Sequence, residues 1–260
     1  MIDFHNHFIY NLDDGPSTIE ESMNMLHHAN SQGITEVIQT VHFQHPKMHG
    51  KDISNININK KLERIKSLMK NQGINIKIHI ASEVFYLPNL SEILKNPLTT
   101  IFDKYMLIEF TTNVYPENYE NEFFKIQNKG ITPIIAHPER YRFVQNDLNI
   151  INKWISNDYI IQIDCGSLLG HFGEKIKQIS YNIVENYGVH IIGSDAHNNK
   201  KRNFCLEETY NLLLTKYNVD FVEKLKLNAS SLIKGGKLNK VQAQQKNSLL
   251  NIIKSKFKLN

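Results

Sequence analysis

The chain has 260 residues, of which 41% are apolar and 22% charged, so it can form one α/β domain and is too apolar to be disordered over most of its length. No apolar run reaches the roughly 18 residues of a membrane-spanning helix, and the N-terminus MIDFHNHF lacks a secretory-signal pattern. Two cysteines are too few for a disulfide framework, and this low number fits a reducing cytoplasm. The net charge of +4 does not indicate nucleic-acid binding, because the six lysines of residues 237–260 leave about −2 for residues 1–236.

Apolar runs of strand length recur along residues 1–236. The seven predicted strands are Ile2–His7, Glu36–Val41, Ile76–Ala81, Tyr105–Phe110, Thr132–Ala136, Ile160–Asp164 and His190–Gly193. Helical patterns lie between most of them. The first begins with a capping-box pattern, Ser17 with Glu20, and ends at Gly33. Others end near Gly73 and Gly130, or cover about 148–156, 173–186, 204–217 and 220–228.

Strands that alternate with helices predict parallel strands joined by right-handed crossovers. We expect one α/β domain over residues 1–236, with either a barrel-like or an open parallel sheet. In both folds the chemistry gathers at the C-terminal ends of the strands.

We predict that the C-terminal segment, residues 237–260, is a basic tail separate from the α/β domain. Its apolar residues recur near helical spacing at Leu249, Leu250, Ile253 and Phe257. We therefore predict a helix, either solvated or docked on a partner or on the surface of a membrane.

Residue types that bind metals stand where the predicted strands end. His5 and His7 are two apart and share one side of the first strand, and Asp195 and His197 form a similar pair after the seventh. Single candidates at the other strand ends are His42, Glu83, Glu109 and His137. An acidic turn, residues 13–16, follows the first strand. We predict a polynuclear metal site, whose nitrogen and carboxylate ligands suit manganese, iron or zinc.

The remaining seven histidines are not at strand ends. Six are assigned no functional role: His27, His28, His45, His49, His79 and His190. His171 is an intermediate case, because it lies between glycines in a loop and could touch a substrate.

Two arginines follow the predicted ligands closely. Arg140 lies three residues after His137, and Arg202 lies five after His197, so both should reach the same end of the sheet. Arginine binds phosphate oxygens in a fork and stays charged, and paired metal ions assist phosphoryl transfer. Glu139 either holds an arginine in place or faces solvent. Neither Cys165 nor Cys205 has the arginine six residues later that a thiol phosphatase needs.

These residues resemble the PHP (polymerase and histidinol phosphatase) superfamily, and within it the CpsB/YwqE-type bacterial protein-tyrosine phosphatases. The resemblance covers residues 1 to about 235. The motifs that carry it are Asp3-x-His5-x-His7, Asp13-Asp14-Gly15-Pro16, His42, Glu83, His137-Pro138-Glu139-Arg140, Gly170-His171-Phe172-Gly173 and Ser194-Asp195-Ala196-His197-Asn198.

The resemblance implies a distorted (β/α)7 barrel, similar to a TIM barrel, with three divalent metal ions that are often manganese. It assigns the first ion to His5, His7, Glu83 and Asp195. It assigns the second ion to Glu83, Glu109 and His137. It assigns the third ion to Asp14, His42 and His197. It gives phosphate binding to Arg140 and Arg202, and we count His42 and Asp195 with them as catalytic residues.

We predict a metal-dependent hydrolase of protein phosphotyrosine. The resemblance implies a cytoplasmic enzyme, at the inner face of the plasma membrane if the tail binds there, that acts on the C-terminal tail of a bacterial tyrosine autokinase in capsule or exopolysaccharide synthesis. Alternatives are a small-molecule phosphatase such as a histidinol-phosphate phosphatase, a metallohydrolase of amides or lactones, and a non-catalytic kinase-binding regulator. The oligomeric state is left open.

Overall fold

The strands of the computed structural model, which describes residues 1–243, lie close to the predicted ones. They are β1 (Ile2–Asn6), β2 (Glu36–Phe43), β3 (Lys77–Phe85), β4 (Tyr105–Glu109), β5 (Thr132–Ile135), β6 (Ile160–Asp164) and β7 (Ile191–Gly193). Each pairs in parallel with the next, in chain order.

Helices connect most of the strands. They are α1 (Ile19–Ser31), α2 (Asn55–Asn71), α3 (Leu90–Ile93), α4 (Tyr119–Gln127), α5 (Arg142–Asn146), α6 (Asn149–Ser156), α7 (Cys165–Leu169), α8 (Glu174–Asn182), α9 (Leu206–Lys216) and α10 (Val219–Ile233). Short 3₁₀ turns occupy Pro46–Met48, Pro97–Thr99 and Pro138–Arg140, and a π-helical turn, Ile183–Tyr187, continues α8.

The sheet closes on itself between its first and last strands. Asn6 bridges Ala196, whose carbonyl accepts a hydrogen bond from the His7 N–H (2.8 Å), and the Asp195 N–H donates to the His5 carbonyl (2.7 Å). The register of β1 against β2 shifts between Asp3 and Asn6. The predicted distorted (β/α)7 barrel is therefore confirmed, as one of the two sheet forms that the sequence allowed.

An apolar layer inside the barrel lies beneath the predicted ligands. Alternate residues of a strand face the same side, so Ala81 shares a face with Glu83, and Leu107 with Glu109. These two apolar side chains form one buried cluster with Phe4, Ile38 and Ile134. A larger cluster packs the strands against the helices. The predicted ligands thus lie together on one side of this apolar layer.

The capping box of α1 is shifted by one residue from the predicted position, so the pairing of Ser17 with Glu20 was wrong. The Thr18 hydroxyl accepts a hydrogen bond from the Glu21 N–H (3.2 Å), and the Glu21 carboxylate accepts one from the Ser17 N–H (3.0 Å). The run Ser-Thr-Ile-Glu-Glu permits either frame, and the shifted frame starts the helix at Ile19. The predicted end at Gly33 is confirmed by its φ of +75°.

The first residues of the predicted tail pack against the barrel. Val241 and Val189 exchange backbone hydrogen bonds (2.7 and 2.8 Å), and Leu238 and Ala243 are buried. Residues 244–260, with most of the predicted helix, lie outside the described residues, and the division at residue 236 stays a prediction. Within residues 1–243, no helix has the length and hydropathy to cross a membrane.

His190, at the end of the barrel opposite the predicted ligands, should make stability depend on pH. Its Nδ1 accepts a hydrogen bond from the Ile161 N–H (3.0 Å), and burial together with Lys240 lowers its pKa to about 4. The unfolded chain binds this proton below about pH 6.5, so stability is present above that pH and is lost as the pH falls toward 4. Between pH 7 and pH 5 the loss should be about 2 kcal/mol.

The His190→Asn variant tests this expectation, because its amide oxygen can replace the Nδ1 acceptor without titrating. Urea unfolding of metal-free protein at pH 7 and pH 5 should show a pH dependence about 2 kcal/mol smaller in the variant. Equal pH dependence in the two proteins would contradict this role of His190.

Candidate metal centre

The first group of predicted ligands lies together in the barrel mouth. The Glu83 Oε2 atom is 3.1 Å from His5 Nε2 and 3.3 Å from His7 Nε2, and Asp195 Oδ1 is 3.4 and 3.5 Å from the same two nitrogens. All four side chains are buried. Their ligand atoms lie within 4.8 Å of one another, so the four side chains could hold one metal ion.

The second predicted group shares the Glu83 carboxylate with the first. His137 Nε2 lies 3.0 Å from Glu83 Oε1 and 3.9 Å from Glu109 Oε1. His42 approaches the same carboxylates, with its Nδ1 atom 3.3 Å from Glu83 and 3.8 Å from Glu109. His42, Glu83 and Glu109 could together hold an ion, and His137 is adjacent to this group.

The third predicted group lies toward solvent. Asp14 Oδ1 is 3.3 Å from His42 Nε2 and 3.3 Å from His197 Nε2. His7 completes this group, since its ring centroid lies 4.2 Å from that of His197. The Asp14 side chain is 42% exposed, which makes this edge of the site accessible from outside.

Buried polar groups orient the imidazoles, and the sequence had not identified them as part of the site. Asp13 Oδ2 pairs with His7 Nδ1 (2.8 Å) and accepts a hydrogen bond from the His42 N–H (3.1 Å). The Gln162 side-chain oxygen pairs with His5 Nδ1 (3.1 Å). The contacts to His7 and His5 engage Nδ1 and direct Nε2 toward the carboxylates, as the partners of metal-binding histidines do. Asp13 lies in the acidic turn that was noted in the sequence, whereas nothing in the sequence pattern pointed to Gln162.

Two of the candidate metal ligands have an unusual backbone conformation. His137 and Asp195 have positive φ angles of 30° and 48°, a region that residues other than glycine seldom adopt. Such strain concentrates at functional sites. At Gly193, an added Cβ would lie 2.8 Å from the His5 Cβ and 2.7 Å from the Gln162 side-chain nitrogen. Only a glycine there leaves room for His5 in the mouth.

The chemistry of the pocket fits divalent cations. Burial and the negative charge of Glu83 raise the pKa of Glu109 to about 8. Burial opposes ionisation of Glu83 as well, but His5 and His42 hold its pKa well below the usual range. Glu109 Oε2 and His42 Nδ1 are buried and have no hydrogen-bond partner among the described residues. Cations would neutralise the carboxylates and give these two atoms a partner.

The two predicted arginines meet at the outer oxygen of Asp195. Asp195 Oδ2 accepts hydrogen bonds from Arg140 Nη1 (2.6 Å) and Arg202 Nη2 (2.7 Å), and Arg140 also pairs with Asp164. Glu139 is buried and does not face solvent. Its carboxylate accepts a hydrogen bond (3.1 Å) from the N–H of Asp164, the residue that pairs with Arg140.

The histidines outside the predicted ligand set differ in their positions. His45, which had been assigned no role, lies at the mouth, with Nε2 3.6 Å from Glu109 Oε2. His171 is exposed, and His27 pairs with Gln72 on the surface.

Cys165 and Cys205 are buried free thiols.

A parallel α/β barrel whose mouth brings histidines and carboxylates beside two arginines has the arrangement of a barrel metallohydrolase for phosphate esters. The family described as capsular polysaccharide synthesis, CpsB/CapC, matches residues 1–234. The chain therefore belongs to the CpsB/CapC family.

Several relatives match over most of their length. CapC of Staphylococcus aureus is 32% identical over 213 residues, which are 81% of this chain and 82% of that protein. The tyrosine-protein phosphatase YwqE of Bacillus subtilis is 30% identical over 236 residues, 90% of this chain and 92% of the relative.

Two solved structures share the fold. One comes from a study of YwqE from Bacillus subtilis and CpsB from Streptococcus pneumoniae, described as unique metal-dependent tyrosine phosphatases. It matches with a TM-score of 0.86 and 29% identity over 95% of this chain and 100% of that one. A histidinol phosphate phosphatase from Lactococcus lactis, solved with zinc, L-histidinol and phosphate, matches with a TM-score of 0.52 and 19% identity over 82% and 92% of the two chains. The second match supports the fold alone.

Proposed function

We propose that this protein is a metal-dependent phosphatase that removes phosphate from tyrosine in proteins. The observation that carries the proposal is the position of Asp195. Its Oδ1 atom faces His5 and His7, and its Oδ2 atom accepts hydrogen bonds from both arginines. One carboxylate thus joins the candidate metal ligands to two side chains suited to bind phosphate. The choice of phosphotyrosine follows the activities named for the relatives.

The donor set supports three divalent ions, with manganese proposed first and iron or zinc as alternatives. We propose His5, His7, Glu83 and Asp195 for the first ion. For the second we propose Glu83, Glu109 and His137, with His42 close enough to contribute. For the third we propose Asp14, His42 and His197. When bound, such ions supply Lewis acidity and an activated water for attack on a phosphate ester.

The arginines bind and orient the phosphate group in this proposal. A guanidinium stays charged and presents its N–H groups in a plane that matches phosphate oxygens. The Nε atoms of Arg140 and Arg202 are buried and have no hydrogen-bond partner within residues 1–243. Donors already fixed beside the reacting group stabilise charge that develops on the phosphoryl oxygens, without reorganisation during the reaction.

We propose that the substrate is the tyrosine-rich C-terminal tail of a membrane-bound bacterial tyrosine kinase, dephosphorylated in the cytoplasm. The capsular polysaccharide synthesis in the family description supports this setting. The mouth suits a flexible peptide, because Asp14 and Arg202, whose side chains are 42% and 33% exposed, leave the site open to solvent.

A substrate comparison tests the proposal against its nearest rival. Purified protein with manganese should hydrolyse a phosphotyrosine peptide with a kcat/KM at least about tenfold above that for histidinol phosphate or for the matched phosphoserine peptide. Preference for histidinol phosphate would overturn the assignment in favour of a small-molecule phosphatase. Absence of turnover with all three, in protein that retains its metal, would favour a non-catalytic regulator.

The basic tail gives a separate prediction about location. Residues 244–260 contain four lysines and no acidic residue, and each lysine near an anionic membrane contributes about 1 kcal/mol. Truncation after Ala243 keeps the packed Val241 and should weaken binding to vesicles that contain anionic lipid, with hydrolysis of a soluble peptide unchanged. Co-sedimentation with anionic and neutral vesicles measures this. Equal binding of the full and truncated chains would exclude the tail as a membrane contact.

A further inference from the structure

One aromatic side chain, that of Phe172, contacts both arginines. The Arg140 Cζ atom lies 3.9 Å from the centroid of the Phe172 ring, and the Arg202 Cζ atom lies 5.8 Å from it. Phe172 follows His171 in the Gly170–Gly173 loop. His171, which the sequence left as an intermediate case that could touch a substrate, is exposed, and Phe172 is its half-buried neighbour beside the two arginines.

The fold makes space for this ring. A Cβ added to Gly166 would lie 3.2 Å from the ring of Phe172 and 3.0 Å from Asp164 Oδ1. The absence of a side chain at this position in α7 therefore leaves space for the Phe172 ring. Gly170 and Gly173, with φ of +93° and +92°, turn the chain on either side of the ring. The loop is therefore shaped to bring one aromatic ring to the arginines.

The contacts of Arg140 show what the ring adds. Asp164 and Asp195 hold the Nη atoms, which constrains the edge of the guanidinium. A planar group held along one edge can still tilt about that edge. The Phe172 ring, whose centroid lies 3.9 Å from Cζ, restricts this tilt, and a cation–π contact also stabilises the charge.

We propose that Phe172 is a positioning residue, which sets the plane of Arg140 and holds Arg202 beside it so that the pair binds one phosphate group. This inference rests on the proposed function, because it assigns phosphate to the arginine pair. Phe172 acts through the arginines and need not contact the substrate itself.

Calorimetric binding of inorganic phosphate to metal-loaded protein tests the inference. Phe172→Leu keeps an apolar side chain but removes the aromatic face, and should weaken phosphate binding about 10-fold. Phe172→Tyr should restore binding to within about twofold of the original chain. The bound metal, measured by mass spectrometry, should be equal in all of them. Phe124→Leu is the matched control, since Phe124 is 62% exposed on α4.

A double-mutant cycle identifies the residue through which Phe172 acts. In an Arg140→Lys background the nearer planar partner is absent and only the longer contact with Arg202 remains, so Phe172→Leu should weaken phosphate binding by no more than about twofold. Unchanged phosphate affinity in the Phe172→Leu single variant would overturn the inference, as would the full effect in the Arg140→Lys background. Phosphate binding is measured without turnover, so these outcomes are distinct from a failure of the original chain to hydrolyse phosphotyrosine.

Discussion

Glu83→Gln should lose most of its bound metal and at least about 10³-fold in kcat/KM for a phosphotyrosine peptide. Glu83 lies in two of the candidate metal groups and contacts His5, His7, His42 and His137 within 3.3 Å. Glutamine keeps the shape and can still hydrogen-bond to the imidazoles, but it removes the negative charge that would neutralise two cations. Metal analysis by mass spectrometry, together with steady-state kinetics, measures both losses.

The matched control is Glu36→Gln. Glu36 also pairs with a histidine from the next strand, His79 (2.8 Å), but it lies at the start of β2, away from the mouth. This variant should keep its metal and its activity. A Glu83→Gln protein with full metal content and ordinary turnover would show that Glu83 is not a ligand.

Arg140→Lys should lower kcat/KM by about 10²–10³-fold while the metal content remains unchanged. Lysine retains the positive charge between Asp164 and Asp195 but cannot present donors in a fixed plane. Arg140→Ala is a poorer test, because it would leave the buried Asp164 carboxylate without its cation, leave Asp195 with Arg202 alone, and cost several kcal/mol of stability.

Metal content and melting temperature separate the two roles that Arg140 could have. Retained metal, a melting temperature within a few degrees and lost turnover are the results that phosphate binding predicts. Loss of metal from Arg140→Lys would mean that the arginine mainly holds Asp195 in place as a ligand.

The residues that meet at the ends of the strands could be predicted from the sequence, because their position along a strand determines their position in space. Parallel strands paired in chain order bring their C-terminal ends together, so residues as distant as His5, Glu83 and Asp195 could be predicted to meet. Arg140 and Arg202 were predicted in the same way, from their separation from strand-end histidines.

Residues that meet through the paths of loops were harder to predict. Asp164 ends β6 as an ordinary strand-end acid, and only the 3₁₀ turn at Pro138–Arg140 brings Arg140 to it. His45 lies in a polar loop whose turn directs Nε2 to Glu109. Gln162 lies on β6 and was missed for another reason, because glutamine is not a typical metal ligand and it contacts His5 instead. The capping box of α1 was predicted one residue too early, because the run Ser-Thr-Ile-Glu-Glu allows two overlapping frames.

Metal dependence is tested most directly by measuring phosphotyrosine hydrolysis with one sample before and after removal of its metal. Chelation followed by dialysis should abolish turnover of the peptide, and manganese should restore it in proportion to the metal rebound, with zinc and iron compared in parallel. Activity that persists unchanged when the measured metal falls below about one ion per ten chains would contradict the proposed metal-dependent mechanism.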